Sequence, residues 1–360
     1  MESDAAAPLA NQKLPRPERT HPILLMLTAF LLAAFIGIAI WLKFYRMPTV
    51  ENSAIRLASA GFSNTAPHTL DPAFKDANGD LIADPPSNPA QFIDPPTLTF
   101  CYIASDDAAA KKQEWKPFTE YLSKVTGKPV DYLLVTSTHD EIKAMHDGQL
   151  QVAGFNTGAV PPAVNVAGFV PICALPTSDG GAFTHTDIIV PADSPLQKPE
   201  DLKGHELTLT SPDSNSGYKA PLALLRSNYG LQPSSDISLR CSLSHDASIA
   251  GVVSHKYEAA AVADDMLGRQ LSAGTISPTQ FRIIYKSENF PTAGLGYVYN
   301  LKPELANKVR EALLSFDWKG TPLEKVLNAG PQTKFVQLDY KKDWGLVRHI
   351  DDQMGLLSGF

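Results

Sequence analysis

The stretch Thr208–Gly230, "TLTSPDSNSGYKAPLALLRSNYG", decides the reading of the whole chain. It begins as a strand, passes through a loop of Ser, Asp and Asn, and continues as a helix that stops at Gly230. Ser211, Ser214, Asn215 and Ser216 crowd the mouth of that helix, and Gly217 follows them. One such side chain suffices to cap the free N–H groups of a first turn. A cluster ending in glycine also describes a small anion socket, where hydroxyls and backbone N–H groups converge at the positive end of the helix dipole. The stretch alone leaves both readings open.

The remainder of the chain narrows them. Its 360 residues are 44% hydrophobic, enough for one large or two medium domains with real cores. Lys and Arg number 31 against 38 Asp and Glu, and no basic block or basic-aromatic stripe is present, which excludes nucleic acid as the expected partner. Cys101, Cys173 and Cys241 are far apart, each inside an apolar run, and read as buried free thiols. No Cys/His spacing points to a metal centre, and no cofactor is expected. His245 and His255 are not at i, i+4, so a helical zinc pair is not indicated. Gly-x-Ser-x-Gly, Walker A, His-Glu-x-x-His and dinucleotide-binding glycine patterns are all missing, and the chain does not read as an enzyme.

At the amino terminus, Ile23–Leu42, "ILLMLTAFLLAAFIGIAIWL", is an uncharged apolar run long enough to cross a bilayer. Trp41 and Tyr45 stand at its end as interfacial anchors, with Lys43 and Arg46 closing it. Small residues fall too far downstream, around Ala60, for a cleavage site, and no cysteine follows before Cys101. The expectation is an uncleaved signal anchor over 23–42 with a short cytoplasmic tail at 1–22. The soluble remainder is placed on the periplasmic side of a single-pass cell-membrane protein. Residues 43–96 are rich in Pro, Asn, Asp and Ser and read as an extended spacer. Within it Asp76, Asn78 and Asp80 imitate the start of a calcium loop. Leu81 stands where the loop needs glycine and Ser87 where it needs glutamate, so calcium is not expected.

From Thr97 onward strands alternate with helices: "TLTFCYIAS", "KKQEWKPFTEYLSKVTG", "VDYLLVT", "HDEIKAMHDG", "LQVAGF", a proline-interrupted helix "VPPAVNVAG", and "FVPICAL". Such alternation implies parallel sheets covered on both faces. "TDIIVPAD" crosses into a second set, and the chain returns near Pro291 with "GLGYVYN" and closing helices. The result is a two-lobed α/β clam, lobe 1 over 97–186 and 289–360 and lobe 2 over 187–288. In open α/β sheets ligands sit beyond the carboxyl ends of strands, where the loop 211–217 lies.

The order of these motifs resembles the phosphate/phosphite/phosphonate-binding periplasmic solute-binding proteins of ABC importers. The resemblance runs from about Thr97 to about Phe316. It rests on "EWKPFTEYLSKVTGKPV", "DGQLQVAGFNTGA", "SPLQKPEDLKGHELTL", "SPDSNSGYKAPLALL", "SLSHDASIAGVVSHKYEAAAVADDML" and "RIIYKSENFP". It implies a type II periplasmic-binding fold. The oxyanion would be held by Ser214, Asn215, Ser216 and Gly217 and by the step His245–Asp246, with Asp265 as a further ligand-facing acid. Two positions that carry aromatic hydroxyls in aminophosphonate binders correspond to His139 and Phe155. A second acid of those binders is replaced by Ala293. Asn156 and Thr157, in a strand-to-helix turn, either contribute from the facing lobe or merely cap.

Each residue also has a plain structural reading: His245 can cap or pack, and Asp265 can cap a helix. The function implied by the resemblance is capture of a small oxyanion for an ABC permease. A membrane-tethered sensor or scaffold with the same fold is the alternative.

Overall fold

A computed structural model describes residues 69–103, 107–177, 179–233, 235–327 and 330–357, all within one compact unit. The apolar run 23–42, its preceding tail and the spacer as far as residue 68 lie outside the described residues. Among the described residues no helix is long and apolar enough to cross a membrane.

The chain enters as β1 (Leu98–Tyr102), α1 (Ala108–Glu114) and α2 (Lys116–Thr126). The expected single helix is thus two. Pro117 sits in the first turn of α2 and lacks the N–H that a continuous helix would need, so the chain breaks at buried Trp115. Then follow β2 (Val130–Tyr132), α3 (Thr138–His146), β3 (Val152–Phe155), α4 (Val160–Ala167) and β4 (Phe169–Ala174). Pro161 and Pro162 do not interrupt α4; they start it, in the turn where a missing N–H costs nothing. Next come β5 (Phe183–Thr184), β6 (Thr186–Pro191), β7 (Glu206–Leu209), α5 (Ala220–Tyr229) and β8 (Ser238–Cys241). The chain continues as α6 (His245–Val253), β9 (Ala259–Ala263), α7 (Asp264–Ser272), β10 (Phe281–Lys286), β11 (Phe290–Pro291) and β12 (Gly294–Val298). It closes with α8 (Pro303–Ser315), α9 (Pro322–Leu327), β13 (Val336–Gln337), α10 (Tyr340–Asp343) and α11 (Gly345–Leu357).

The strands form one sheet of order β13-β4-β12-β3-β1-β2 and a second of order β10-β6-β9-β7-β8. Within the first, β1 is parallel to β2 and β3, whereas β12 runs antiparallel to β3 and β4. Within the second, β7 is parallel to β8 and β9, and β6 is antiparallel to β9 and β10. The sheets are therefore mixed rather than purely parallel. The reason is the connectivity: β6 and β12 are the first strands after each crossing and enter their sheets from the opposite direction. The two crossings pair with each other as the antiparallel ribbon β5–β11, with Phe290 opposite Thr184 and Pro291 opposite Phe183. This ribbon is the hinge between a first and a second lobe.

Each lobe has its own core. Trp115, Phe118, Phe155, Phe169, Trp318 and Trp344 anchor the first. In the second lobe the sheet is buried on both faces: Ile188 and Val190 of β6 join one cluster and Ile189 the other, the period of two that a strand imposes. All three cysteines are buried, and none of them is in a disulfide among the described residues.

The later half of the expected spacer, residues 69–96, is docked on the first lobe. Asp71 N–H donates to the Asn165 carbonyl (2.9 Å) and Ile93 N–H to Asn300 (2.8 Å), while Phe74 meets Tyr299 edge-on at 4.9 Å. Asp94 pairs with Lys128 (2.8 Å) and Lys302 (3.0 Å). Leu81, which stands where a calcium loop needs glycine, itself adopts φ 68°. Among the described residues no group of three or more acids, histidines and cysteines is arranged to hold a metal ion. At the other end, α11 packs on α5, and Met354 touches both the first-lobe core and one of the two second-lobe clusters.

Candidate functional site

The loop after β7 delivers its residues to the boundary between the lobes. Ser214 is the cap: its Oγ accepts from Gly217 N–H at 3.1 Å. The five residues Asn215–Lys219 then form a widened π-type turn before α5 begins. Gly217 is required here, because a Cβ would collide with the Thr210 hydroxyl, and Thr210 N–H donates to the Gly217 carbonyl at 2.9 Å. The helix start is thereby pinned to the end of its strand.

Beyond the cap, Asn215 and Ser216 have no capping duty. Asn215 is 2% exposed, and among the described residues neither its Oδ1 nor its Nδ2 has a hydrogen-bond partner. Buried amides are almost always paired, so both polar atoms of Asn215 stand open to a further hydrogen-bond partner. Ser216 is buried beside it, and its carbonyl accepts from the Thr186 hydroxyl at 3.0 Å. The opposite wall comes from the first lobe. A Cβ on Gly158 would lie 2.5 Å from the Asp213 carbonyl oxygen and 3.0 Å from Asn215 N, so the two backbones touch only because residue 158 is glycine.

His245 opens α6 in the second lobe, capped by Ser244 rather than capping anything itself. Its Nδ1 accepts the N–H of Ala263 at 3.1 Å, which fixes the neutral tautomer with the proton on Nε2. Burial pushes its pKa down, with Asp265 and then Asp246 pulling the other way. His245 therefore offers one N–H donor at neutral pH and no charge. Asp265, at the start of α7, pairs with Arg269 at 3.4 Å and accepts from the Thr184 hydroxyl at 3.1 Å. Asp265 and Arg269 act electrostatically on the Tyr102 phenol of the first lobe, whose pKa burial drives upward. Tyr102 ends β1, stacked on Trp115 with centroids 3.9 Å apart.

Other expected site residues go elsewhere. Phe155 is fully buried and edge-on to Phe169 at 4.9 Å, within the first lobe's core. His139 lies exposed on the first turn of α3, while its neighbour Thr138 points inward. Asp246 is exposed and accepts from Gln270 Nε2 at 2.7 Å, a pair on the outer face of α6 and α7. Thr157 donates to the Pro291 carbonyl at 2.9 Å and so serves the hinge. Asn156 caps as the second reading had it, its Oδ1 accepting from Ala159 N–H (3.0 Å), while its Nδ2 reaches Asp213 across the boundary (2.7 Å).

The sequence reading missed Thr138, Asp213, Tyr102, Arg269 and the hinge acid Asp264. Tyr102 was findable, since it ends a strand at the ligand side of an α/β sheet. Asp264 holds the hinge: its Oδ1 accepts from Thr184 Oγ1 (2.5 Å) and His185 N–H (2.8 Å). The His185 ring also lies 3.1 Å from Asp187, whose carboxyl is pushed up to about 6 by burial, with His185 and Lys286 opposing.

Two α/β lobes joined by a two-stranded ribbon have the periplasmic-binding-protein-like fold. The comparisons narrow the class. The family model described as "ABC transporter, phosphonate, periplasmic substrate-binding protein" matches residues 100–344, and the chain belongs to that family. The phosphonates-binding periplasmic protein of Escherichia coli is 21% identical over 234 residues, spanning 64% of this chain and 68% of that one. A binding-protein component of an ABC phosphonate transporter from Pseudomonas aeruginosa superposes with a TM-score of 0.57 at 20% identity, covering 74% of this chain and 98% of the other. PhnD1 of Prochlorococcus marinus, solved in complex with methylphosphonate, gives a TM-score of 0.60 at 16% identity, covering 72% and 99%. At these identities the solved structures speak for the fold alone.

Proposed function

We propose that this chain is the extracytoplasmic solute-binding component of an ABC importer, capturing a small phosphonate-, phosphate- or phosphite-like oxyanion between its lobes. Family membership supports the class of function. The observation that carries the site is Asn215, a buried amide with both atoms unpaired at the lobe boundary. Its Nδ2, the Ser216 hydroxyl, the first N–H groups of the turn and Nε2–H of His245 are the donors for the oxyanion. None of them is charged, so affinity rests on hydrogen bonds to an ionised acceptor, each contributing about 1.5–3 kcal/mol. Asp265 accepts a hydrogen bond from a protonated ligand oxygen, which favours hydrogen phosphate and phosphonate over fully deprotonated sulfate. The strand orders of the two sheets support assignment to the type II variant of the fold.

In this reading the apolar run 23–42 remains as an anchor and holds the lobes outside the cytoplasmic membrane. Amino-terminal sequencing of membrane-derived protein then begins at or near Met1; a mature start near Gly61 refutes the anchor. Calorimetric titration with phosphate, phosphite, methylphosphonate, aminoethylphosphonate and sulfate tests the function. At least one phosphorus oxyanion binds and sulfate binds more weakly; binding of none of them overturns the proposal.

A further inference from the structure

Asp213 belongs to the second lobe, one residue before the capping Ser214, yet its carboxylate is spent on the first lobe. Its Oδ2 accepts from Thr138 Oγ1 at 2.5 Å and from Asn156 Nδ2 at 2.7 Å. Thr138 is the first residue of α3, and Asn156 caps the turn that leads into α4. Two helix starts of one lobe thus converge on a single carboxylate of the other, where helix dipoles favour negative charge. The backbone follows the side chain, since Gly158 packs directly against the Asp213 carbonyl. Lys219 adds a second bridge: its Nζ donates to the Gly158 carbonyl (2.7 Å) while pairing with Asp351 of α11 (2.7 Å).

We propose that Asp213 is a built-in latch: an internal carboxylate that takes the first lobe's donors and holds the lobes together before any solute arrives. The donors that the first lobe would otherwise turn toward an incoming anion are committed to the protein itself. The external oxyanion is then left to the second-lobe groups. The latch is made of the protein's own groups, so it stands apart from the identity of the solute.

The test is the distance between the lobes in the full chain, solubilised in detergent and without added oxyanion. Leu134→Cys and Ala247→Cys place spin labels at two exposed positions, one in each lobe, while the three native thiols are buried. The parent gives one short distance, Asp213→Ala shifts it to longer values, and sodium formate, a free carboxylate, shifts it back. Thr138→Val removes one donor at nearly constant volume and lengthens the distance in the same direction. Combined with Asp213→Ala it adds less than its single effect, as partners in one interaction do. Unchanged distances in both single variants overturn the proposal.

Discussion

Asn215→Ala separates a ligand-facing amide from a structural one. The Asn215 side chain is buried, and neither of its polar atoms has a partner among the described residues. An unpaired buried polar group costs about 1–3 kcal/mol. Truncating it to alanine removes that cost while forfeiting some packing, so the two effects oppose each other. The ligand-free melting temperature should therefore stay within about 3 °C of the parent, given about 2–4 °C per kcal/mol for a unit of this size. Binding has no such compensation. Loss of a hydrogen bond to an ionised oxygen costs about 1.5–3 kcal/mol, which at 1.4 kcal/mol per decade weakens affinity roughly 10- to 150-fold. Asn215→Asp keeps the volume but turns a carboxylate on the oxyanion, and it abolishes measurable binding. Differential scanning calorimetry on the free protein and titration calorimetry with methylphosphonate give both numbers. Parental affinity in Asn215→Ala with a clearly lowered melting temperature refutes the assignment, because that is how a packing residue behaves.

Three further outcomes follow from the geometry. Ser214→Ala removes the cap on Gly217 N–H and lowers stability by about 1 kcal/mol, whereas Ser216→Ala leaves the cap intact and weakens methylphosphonate binding by one to two decades; the reverse pattern contradicts the division of roles. His245→Gln keeps a donor near the Nε2 position and retains part of the affinity that His245→Ala loses, and equal loss in both contradicts a neutral donor. Asp187 has a raised pKa, so the stability it contributes is complete below the unfolded carboxylate value near 4 and is lost as pH rises through about 6. Two pH units amount to about 3 kcal/mol, and the melting temperature of Asp187→Asn should gain on the parent between pH 4.5 and pH 7; parallel curves contradict the buried-acid account.

What the sequence made legible was local and covalent. The alternation of strands and helices, the polar helix mouth at 214–217 and the histidine opening α6 each depend on a few neighbouring residues, and the chain's own periodicity exposes them. The proline readings failed where position within a helix decides the effect: Pro161 and Pro162 initiate α4, and Pro117 divides what read as one helix. The facing wall was not legible. Thr138, Asn156 and Asp213 are brought together from positions as much as 75 residues apart in sequence, and nothing in their own surroundings distinguishes them from ordinary caps. The burial of Phe155 and the exposure of His139 were not legible either, because each depends on what packs over its element rather than on its own neighbours in sequence. The docking of residues 69–96 was hidden for a similar reason: their contacts are backbone hydrogen bonds and single aromatic or ionic pairs, which leave no periodic trace.

The central claim is that an oxyanion sits between the lobes on the helix start that follows β7. A crystal structure of the protein grown with methylphosphonate tests it most directly. The account predicts the phosphonate oxygens within hydrogen-bond distance of Asn215 Nδ2, the Ser216 hydroxyl and Nε2 of His245, with Ser214 still bonded to Gly217 N–H. A phosphonate bound elsewhere, with the Asn215 amide still unpaired, would contradict it.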